Sequence, residues 1–537
     1  MSEFNGLDGQ MSGLAHRVRS TLILAAVLVL TNSCASTVDP SPAPREFQAR
    51  DAAEVFAAGY DNIREYYLEP VQIGSVALHG MQGLQGLDPA VSVSSGEEKV
   101  RLSVGRAVIG EFPAPREDDS VRWGMLTAAV ILAGRSSSAE LAKTPPEQLY
   151  RTVFEASFKD LDRFSRYADY DTARDNRAQR EGFGGIGVSL LPDEQKVVIA
   201  NVMPETPAAR GGLKAGDEIT QIDGQPVQGL SSRDVVNRLR GVIGTPVALT
   251  LHRPVNGASA ETLNVSVRRA RIVPTTVTFE RVDDIAHIRM NGFNQDTTAS
   301  LSKAMVEAWR EIGPRMAGVI LDLRGNPGGL LDQAVSVADM FIPTGEIIST
   351  RGRHPHSMQR YDARSDDIAQ GLPMVVLING ASASASEIVA AALQDTGRAL
   401  VIGTRSFGKG SVQTVIRLPN EGEMTLTWAR LFAPSGYALS TYGVLPTVCT
   451  ANYTDDPVQV ISDLRRGAVR PSALLNARRV VADLDANRQK ELREACPSKP
   501  AHNESIDLDV ARLLVHDPEL LTRMREMSVV AVAQKAQ

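Results

Sequence analysis

Residues 382–413 constrain this chain more than any other stretch. They read Ser-Ala-Ser-Ala-Ser-Glu, then an apolar helical run, then Gly-Thr-Arg-Ser-Phe-Gly-Lys-Gly-Ser-Val-Gln. A turn of small residues opens a helix at Ser384. A lysine between two glycines, Lys409, follows just before a strand. Around this stretch, residues 273–450 alternate in type. The pattern predicts strand Asp284–Met290, helix Thr298–Ile312, strand Gly318–Leu323, helix Leu330–Phe341, strand Met374–Ile378, helix Ser386–Leu393, strand Ala399–Gly403 and strand Val412–Leu418. Such alternation predicts an α/β core.

The 537 residues leave room for three or four folding units. Apolar residues make up 43% of the chain, enough for real cores. Net charge is −6, and no basic stripe carries interleaved aromatics, so nucleic acid is not an expected partner. Residues 1–33 read as an export signal: His16, Arg17 and Arg19 precede the apolar run Thr21–Leu30. Cys34 then stands either as an acylation site or beside an ordinary cleavage point, since Thr31 occupies the place where a lipobox carries leucine. Residues 34–50 form a tether rich in Pro and Ser. The expected address is the bacterial periplasm, with a membrane tether where Cys34 is acylated. Cys449 and Cys496, the other two cysteines, could pair in an oxidising compartment.

The predicted organisation continues with a mostly helical domain over 51–182. It contains helices near Phe56–Tyr67, Arg122–Ala133 and Glu147–Leu161, and a hairpin of Val91–Val93 with Val100–Val104. Helices follow the core over 451–537, with 506–526 the clearest amphipathic stretch. Between these lies a glycine-rich region, 183–272, of short strands around one helix.

That region carries Gly184, Gly185, Ile186, Gly187 and Val188, then a Gly-Leu-Lys-Ala-Gly-Asp turn at 212–217 and an Asp-Gly hairpin at 223–224. In this order the residues resemble a PDZ domain. Successive glycines free backbone N–H groups to converge on a carboxylate. Strand Ile186–Leu190 would then accept an incoming peptide as an added strand, and Val235, Val236 and Leu239 would line a pocket for its last side chain. Read alone, the glycines could equally form a tight strand connection.

The serine segment also has two readings. Ser384-x-x-Glu387 is a capping box. A helix N-terminus also stabilises negative charge on a tetrahedral intermediate. Lys409 can serve as a base only when neutral, so its pKa must fall well below its ordinary value through desolvation. Gln413, four residues on, would share its strand face and hold the amine without adding charge. A strand ending in Asp322-Leu323-Arg324-Gly325-Asn326-Pro327-Gly328-Gly329 could aim an amide into a cleft. Gly329 and Ala385 are the expected oxyanion donors. Asp395 lies roughly 16 Å from Ser384 along a continuous helix and reads as structural.

Together these segments resemble the carboxyl-terminal processing peptidases, or tail-specific proteases, over 183–450, with weaker likeness at Phe56–Tyr67 and Leu161–Tyr167. The resemblance implies a crotonase-like α/β spiral for the 273–450 core. It implies Ser384 as nucleophile, Lys409 as general base and Gln413 as its support, with no metal or cofactor. It further implies substrates with free C-terminal tails, envelope proteins and cell-wall hydrolases among them, and a helical-repeat adaptor as partner. The 88–150 insertion and the tail after 450 depart from the family. The competing readings are a catalytically silent PDZ scaffold that binds protein C-termini, and an enzyme acting on small thioesters. A Ser-His-Asp triad finds no support, and His354-Pro355-His356 lacks the acidic or cysteine neighbours of a metal site.

Overall fold

The computed structural model describes residues 46–468, 486–500 and 504–529, apart from 97, 192–195 and 256–259. The export signal, Cys34 and the Pro/Ser segment 36–45 lie outside the described residues. No described helix is long and apolar enough to cross a membrane.

The core sheet runs in the order Val277–Val282, Ile285–Met290, Gly318–Asp322, Met374–Ile378, Leu400–Gly403, Val448–Cys449. The first pair is antiparallel and the rest are parallel. Every residue of Gly318–Asp322 and Met374–Ile378 is buried, as expected for parallel strands covered on both faces. Alternate residues point each way. Val319, Leu321 and Val376 meet the helices Thr297–Ile312, Leu331–Asp339 and Ala385–Asp395. Ile320, Val375 and Leu377 meet Pro457–Arg465, Glu504–Val515 and Pro518–Val529. The amphipathic stretch expected over 506–526 is thus two helices. Pro518 breaks it, because proline cannot supply an N–H to a continuing helix.

One expected strand belongs elsewhere. Ser411–Arg417 does not join the parallel sheet but pairs antiparallel with the ten-residue strand Glu423–Phe432. These two form a second sheet with Glu346–Arg351 and Gln359–Asp362. The long strand escapes a reading by polarity because Glu423, Thr425 and Thr427 are as buried as Met424 and Leu426.

The N-terminal part packs helices Ala49–Tyr66, Ile73–Gln82, Ser120–Ser137 and Pro146–Ser157 around Phe56, Tyr60 and Phe154, and the expected hairpin gains a third strand, Ala107–Pro113. Its core also takes in Leu418, Met424 and Leu426, so 51–182 shares one interior with the second sheet. Residues 183–272 form their own small core around Ile186, Ile199, Val235 and Leu249. Their sheet runs Glu261–Arg268, Pro246–Arg253, Glu218–Ile222, Val197–Val202, Val188–Leu190. The entering strand Phe183–Gly185 pairs with the leaving strand Ala270–Ile272.

Candidate active site

Strand Met374–Ile378 ends at Asn379, and five residues later the chain turns sharply into the helix Ala385–Asp395. At that corner Ser384 has φ 56° and ψ −113°, a conformation that costs a non-glycine residue energy. The helix behind it is buried along its whole length, so the corner cannot relax by tilting outward. Ser384 itself remains partly exposed. Asp395, at the far end, binds the N–H and hydroxyl of Ser435 and is structural as expected.

Glu387 organises the site. Its carboxylate Oε1 accepts from the Ser406 hydroxyl at 2.5 Å and the Gly408 N–H at 2.7 Å. Oε2 accepts from the Ser384 N–H at 2.7 Å and the Lys409 N–H at 2.9 Å. The group is fully buried. Burial pushes its carboxyl above the usual range, against the pull of these four donors. Three of the donors are amides that can only donate, which favours the ionised form. Glu387 is therefore both the expected cap and the brace between the serine and lysine segments.

Lys409 is half-buried. Burial holds its amine below the ordinary lysine value and the nearby Arg166 adds to this, with Glu387 and Asp162 opposing. Its Nζ lies 5.3 Å from the centre of the Phe164 ring and makes no hydrogen bond among the described residues. Gln413 does not hold it. The Gln413 Nε2 donates instead to Ser411 Oγ at 2.9 Å and Thr427 Oγ1 at 3.3 Å. The expected shared face fails because Lys409 precedes the strand, whose alternation begins only at Ser411.

The glycine loop packs directly on the serine corner. A Cβ on Gly328 would lie 2.9 Å from both Ser384 Cβ and the Ala385 nitrogen, and one on Gly329 would lie 2.1 Å from the Phe293 carbonyl oxygen. Phe293 fixes the loop from the other side, donating to the Gly328 carbonyl and accepting from Leu330 N–H. Among the described residues neither the Gly329 nor the Ala385 amide donates to a protein acceptor. Both remain available to an incoming oxyanion.

Residues 284–450 match peptidase family S41, and residues 173–252 match the PDZ domain. A carboxy-terminal-processing protease of Bartonella bacilliformis is 40% identical over 304 residues, which cover 56% of this chain and 69% of that protein. The chain belongs to the carboxy-terminal-processing proteases of family S41. A chloroplastic C-terminal processing peptidase of Tetradesmus obliquus is 34% identical, over 49% of this chain and 59% of its own. Among solved structures, a photosystem II D1 C-terminal processing protease is 24% identical, covering 75% of this chain and 92% of that one at a TM-score of 0.36.

In this S41 peptidase the PDZ residues divide differently from the expectation. Val235 and Leu239, four apart on one helix stripe, point inward and belong to the module's core. Only Val236 faces a cavity, of about 330 Å³, which Asp175 and Gln179 also line. Asp175 there pairs with Arg240 at 2.9 Å and Arg233 at 3.3 Å. The expected strand Ile186–Leu190 begins only at Val188. Gly184 and Gly185 are committed to the ladder with Arg271 and Ala270, and Ile186 is buried. Gly187 has φ +86°, and a Cβ there would lie 2.3 Å from Thr206. Backbone packing thus already requires that glycine. Strand Val188–Leu190 does form the edge of its sheet, as an added strand needs.

Sequence reading missed Arg166, Phe164 and Asn379. The first two sit in the Leu161–Tyr167 segment, whose family likeness was visible but whose contact with Lys409 was not. Asn379 looks like any turn asparagine until its partners are known.

Proposed function

We propose that this chain is an exported serine endopeptidase that selects proteins by their C-terminal tails and cleaves them with a Ser384/Lys409 dyad. One observation carries the reading: a single oxygen of Glu387 binds the backbone N–H of both residues. The edge strand Val188–Leu190 would receive the tail, with the Ile186–Val188 amides toward its carboxylate. The parallel strands from Ile285 to Cys449 support a crotonase-like spiral for the core. Release from the periplasmic membrane or tethering through Cys34, and docking of a helical-repeat adaptor, belong to the same proposal.

In the reaction Lys409 swings its neutral amine from the face of Phe164 to Ser384 Oγ and takes the hydroxyl proton. The oxygen attacks the scissile carbonyl, and the Ala385 and Gly329 amides hold the resulting oxyanion. Lys409 returns the proton to the leaving amine. Water then gives a proton to Lys409 and attacks the acyl carbonyl; as the bond to Ser384 Oγ breaks, Lys409 returns that proton to the serine and is neutral again.

The test compares wild type, Ser384→Ala and Lys409→Ala on an unfolded substrate with a free or an amidated C-terminus. Cleavage by wild type alone, with preference for the free carboxylate, is the expected result. Equal cleavage by all three removes the dyad. Binding without cleavage by all three establishes a silent scaffold.

A further inference from the structure

The serine corner and the glycine loop come from different strands, yet catalysis needs their amides in fixed register. Ser382 and Ser386 donate across to the Leu323 and Asn326 carbonyls, and Ala383 N–H donates to Asn326 as well. A further buried side chain, Asn379, ties both segments to a third. The Asn379 Oδ1 accepts the Gly325 N–H at 3.0 Å and the Ala381 N–H at 3.0 Å. Gly325 opens the glycine loop, and Ala381 lies three residues before Ser384. On its other side the Asn379 Nδ2 donates to the Pro500 carbonyl at 3.1 Å. With the strap in place residue 379 is 1% exposed, so the strap and not solvent holds that amide.

Pro500 belongs to a strap, residues 496–500, that lies across the turn. Gly380 donates to the Lys499 carbonyl at 3.0 Å. A Cβ on Gly380 would stand 2.5 Å from Ser498 Oγ and 2.8 Å from the Pro500 nitrogen, so only glycine admits the strap. The strap is anchored at its start by the Cys449–Cys496 disulfide, with Cα atoms 6.0 Å apart. Beyond it, Asp507 accepts from Thr450 at 2.6 Å and pairs with Arg324, the residue before the glycine loop, at 3.4 Å.

We propose that Asn379 is a positioning residue, and that the disulfide-anchored strap 496–500 holds its amide so that the oxyanion loop and the nucleophile corner stay in register. The C-terminal region is on this account part of the catalytic scaffold. The catalytic half of the inference rests on the peptidase reading above; the structural half does not.

The experiment uses the full chain as wild type, Asn379→Ala, Gly380→Ala and the pair Cys449→Ser/Cys496→Ser. Hydrogen exchange is followed in peptides covering 323–330 and 378–386, alongside kcat and KM on the tailed substrate. The expected result is exchange at these amides faster by about tenfold or more, and kcat lower by about tenfold with KM within about twofold. Should Asn379→Ala fail to fold, the cysteine pair decides, since it leaves every residue of the site in place. Unchanged exchange in the cysteine pair and in Gly380→Ala overturns the proposal, whether or not wild type cleaves. Faster exchange with unchanged kcat overturns the catalytic role. A wild type that cleaves nothing sinks the peptidase reading instead, while exchange still judges the strap.

Discussion

Ser384 and Lys409 donate their backbone N–H groups to the same atom, Oε2 of Glu387, at 2.7 and 2.9 Å. Two segments 25 residues apart in sequence are thereby fixed by one buried carboxyl group. The arrangement positions the main chain of both residues. It also gives the helix cap a second duty that capping alone would not require.

Glu387→Gln is expected to damage both fold and activity. The amide presents an NH₂ group toward N–H donors that need an acceptor. Leaving buried donors unmatched costs on the order of 1–3 kcal/mol, and misplacing the nucleophile is expected to lower kcat by about 100-fold. Thermal unfolding and kcat, measured together, check this. A variant with wild-type kcat would show that the shared oxygen is dispensable.

The pH profile follows from Lys409. Burial holds its amine below the ordinary lysine range, and Arg166 adds repulsion. In the proposed dyad the neutral form is the base, so kcat/KM is expected to rise with pH as the proton leaves, at a pH below the range of a free lysine. Arg166→Gln removes a cation that disfavours the protonated amine. The rising limb should then move to higher pH. A limb that stays in place excludes this coupling.

At Gly329 the obstacle is steric. With φ +151° and the Phe293 carbonyl 2.1 Å from any Cβ, Gly329→Ala must displace the loop. The strain is of order 1–3 kcal/mol, and in the proposed mechanism loss of one oxyanion donor is expected to lower kcat by about 100-fold or more. Tail-peptide affinity should remain unchanged, which separates this effect from global unfolding.

The buried pair Asp322 and Arg324, 2.7 Å apart, is joined by Asp507 and by His287. Burial pushes the Asp322 carboxyl up, but Arg324 outweighs it and holds it far below the usual carboxylate range. A depressed folded value means the stabilisation is present above the unfolded pKa and is lost only as pH falls toward the folded one. Stability should therefore hold against mild acid as far as this group is concerned. Asp507→Ala, which removes one partner from a buried charged cluster, is expected to cost about 3–5 kcal/mol in denaturant unfolding.

The parts of the site that are local in sequence were legible. Ser384, its helix and the glycine loop each announce themselves within a dozen residues, and both central strands follow from continuous apolar runs. What depends on distant partners was not. The joint hold of Glu387 on Ser406, Gly408 and Lys409 needs contacts about twenty residues away. The meaning of Asn379 depends on Pro500. Gln413 misled because the strand begins only at Ser411, so the alternation counted back to Lys409 runs past its end. Val235 and Leu239 were read as pocket residues because valine and leucine serve equally well inside a core. The roles proposed for Ser384 and Lys409 come from family likeness; the lysine spacing alone would not suggest them.

The ladder between Phe183–Gly185 and Ala270–Ile272 brings the two ends of the peptide-binding module side by side. A unit that starts and finishes at one doorway can be lifted out with a short splice, or exchanged for another, without cutting through the fold that holds Ser384. Inheritance could thus have altered what such a chain recognises without altering how it cuts.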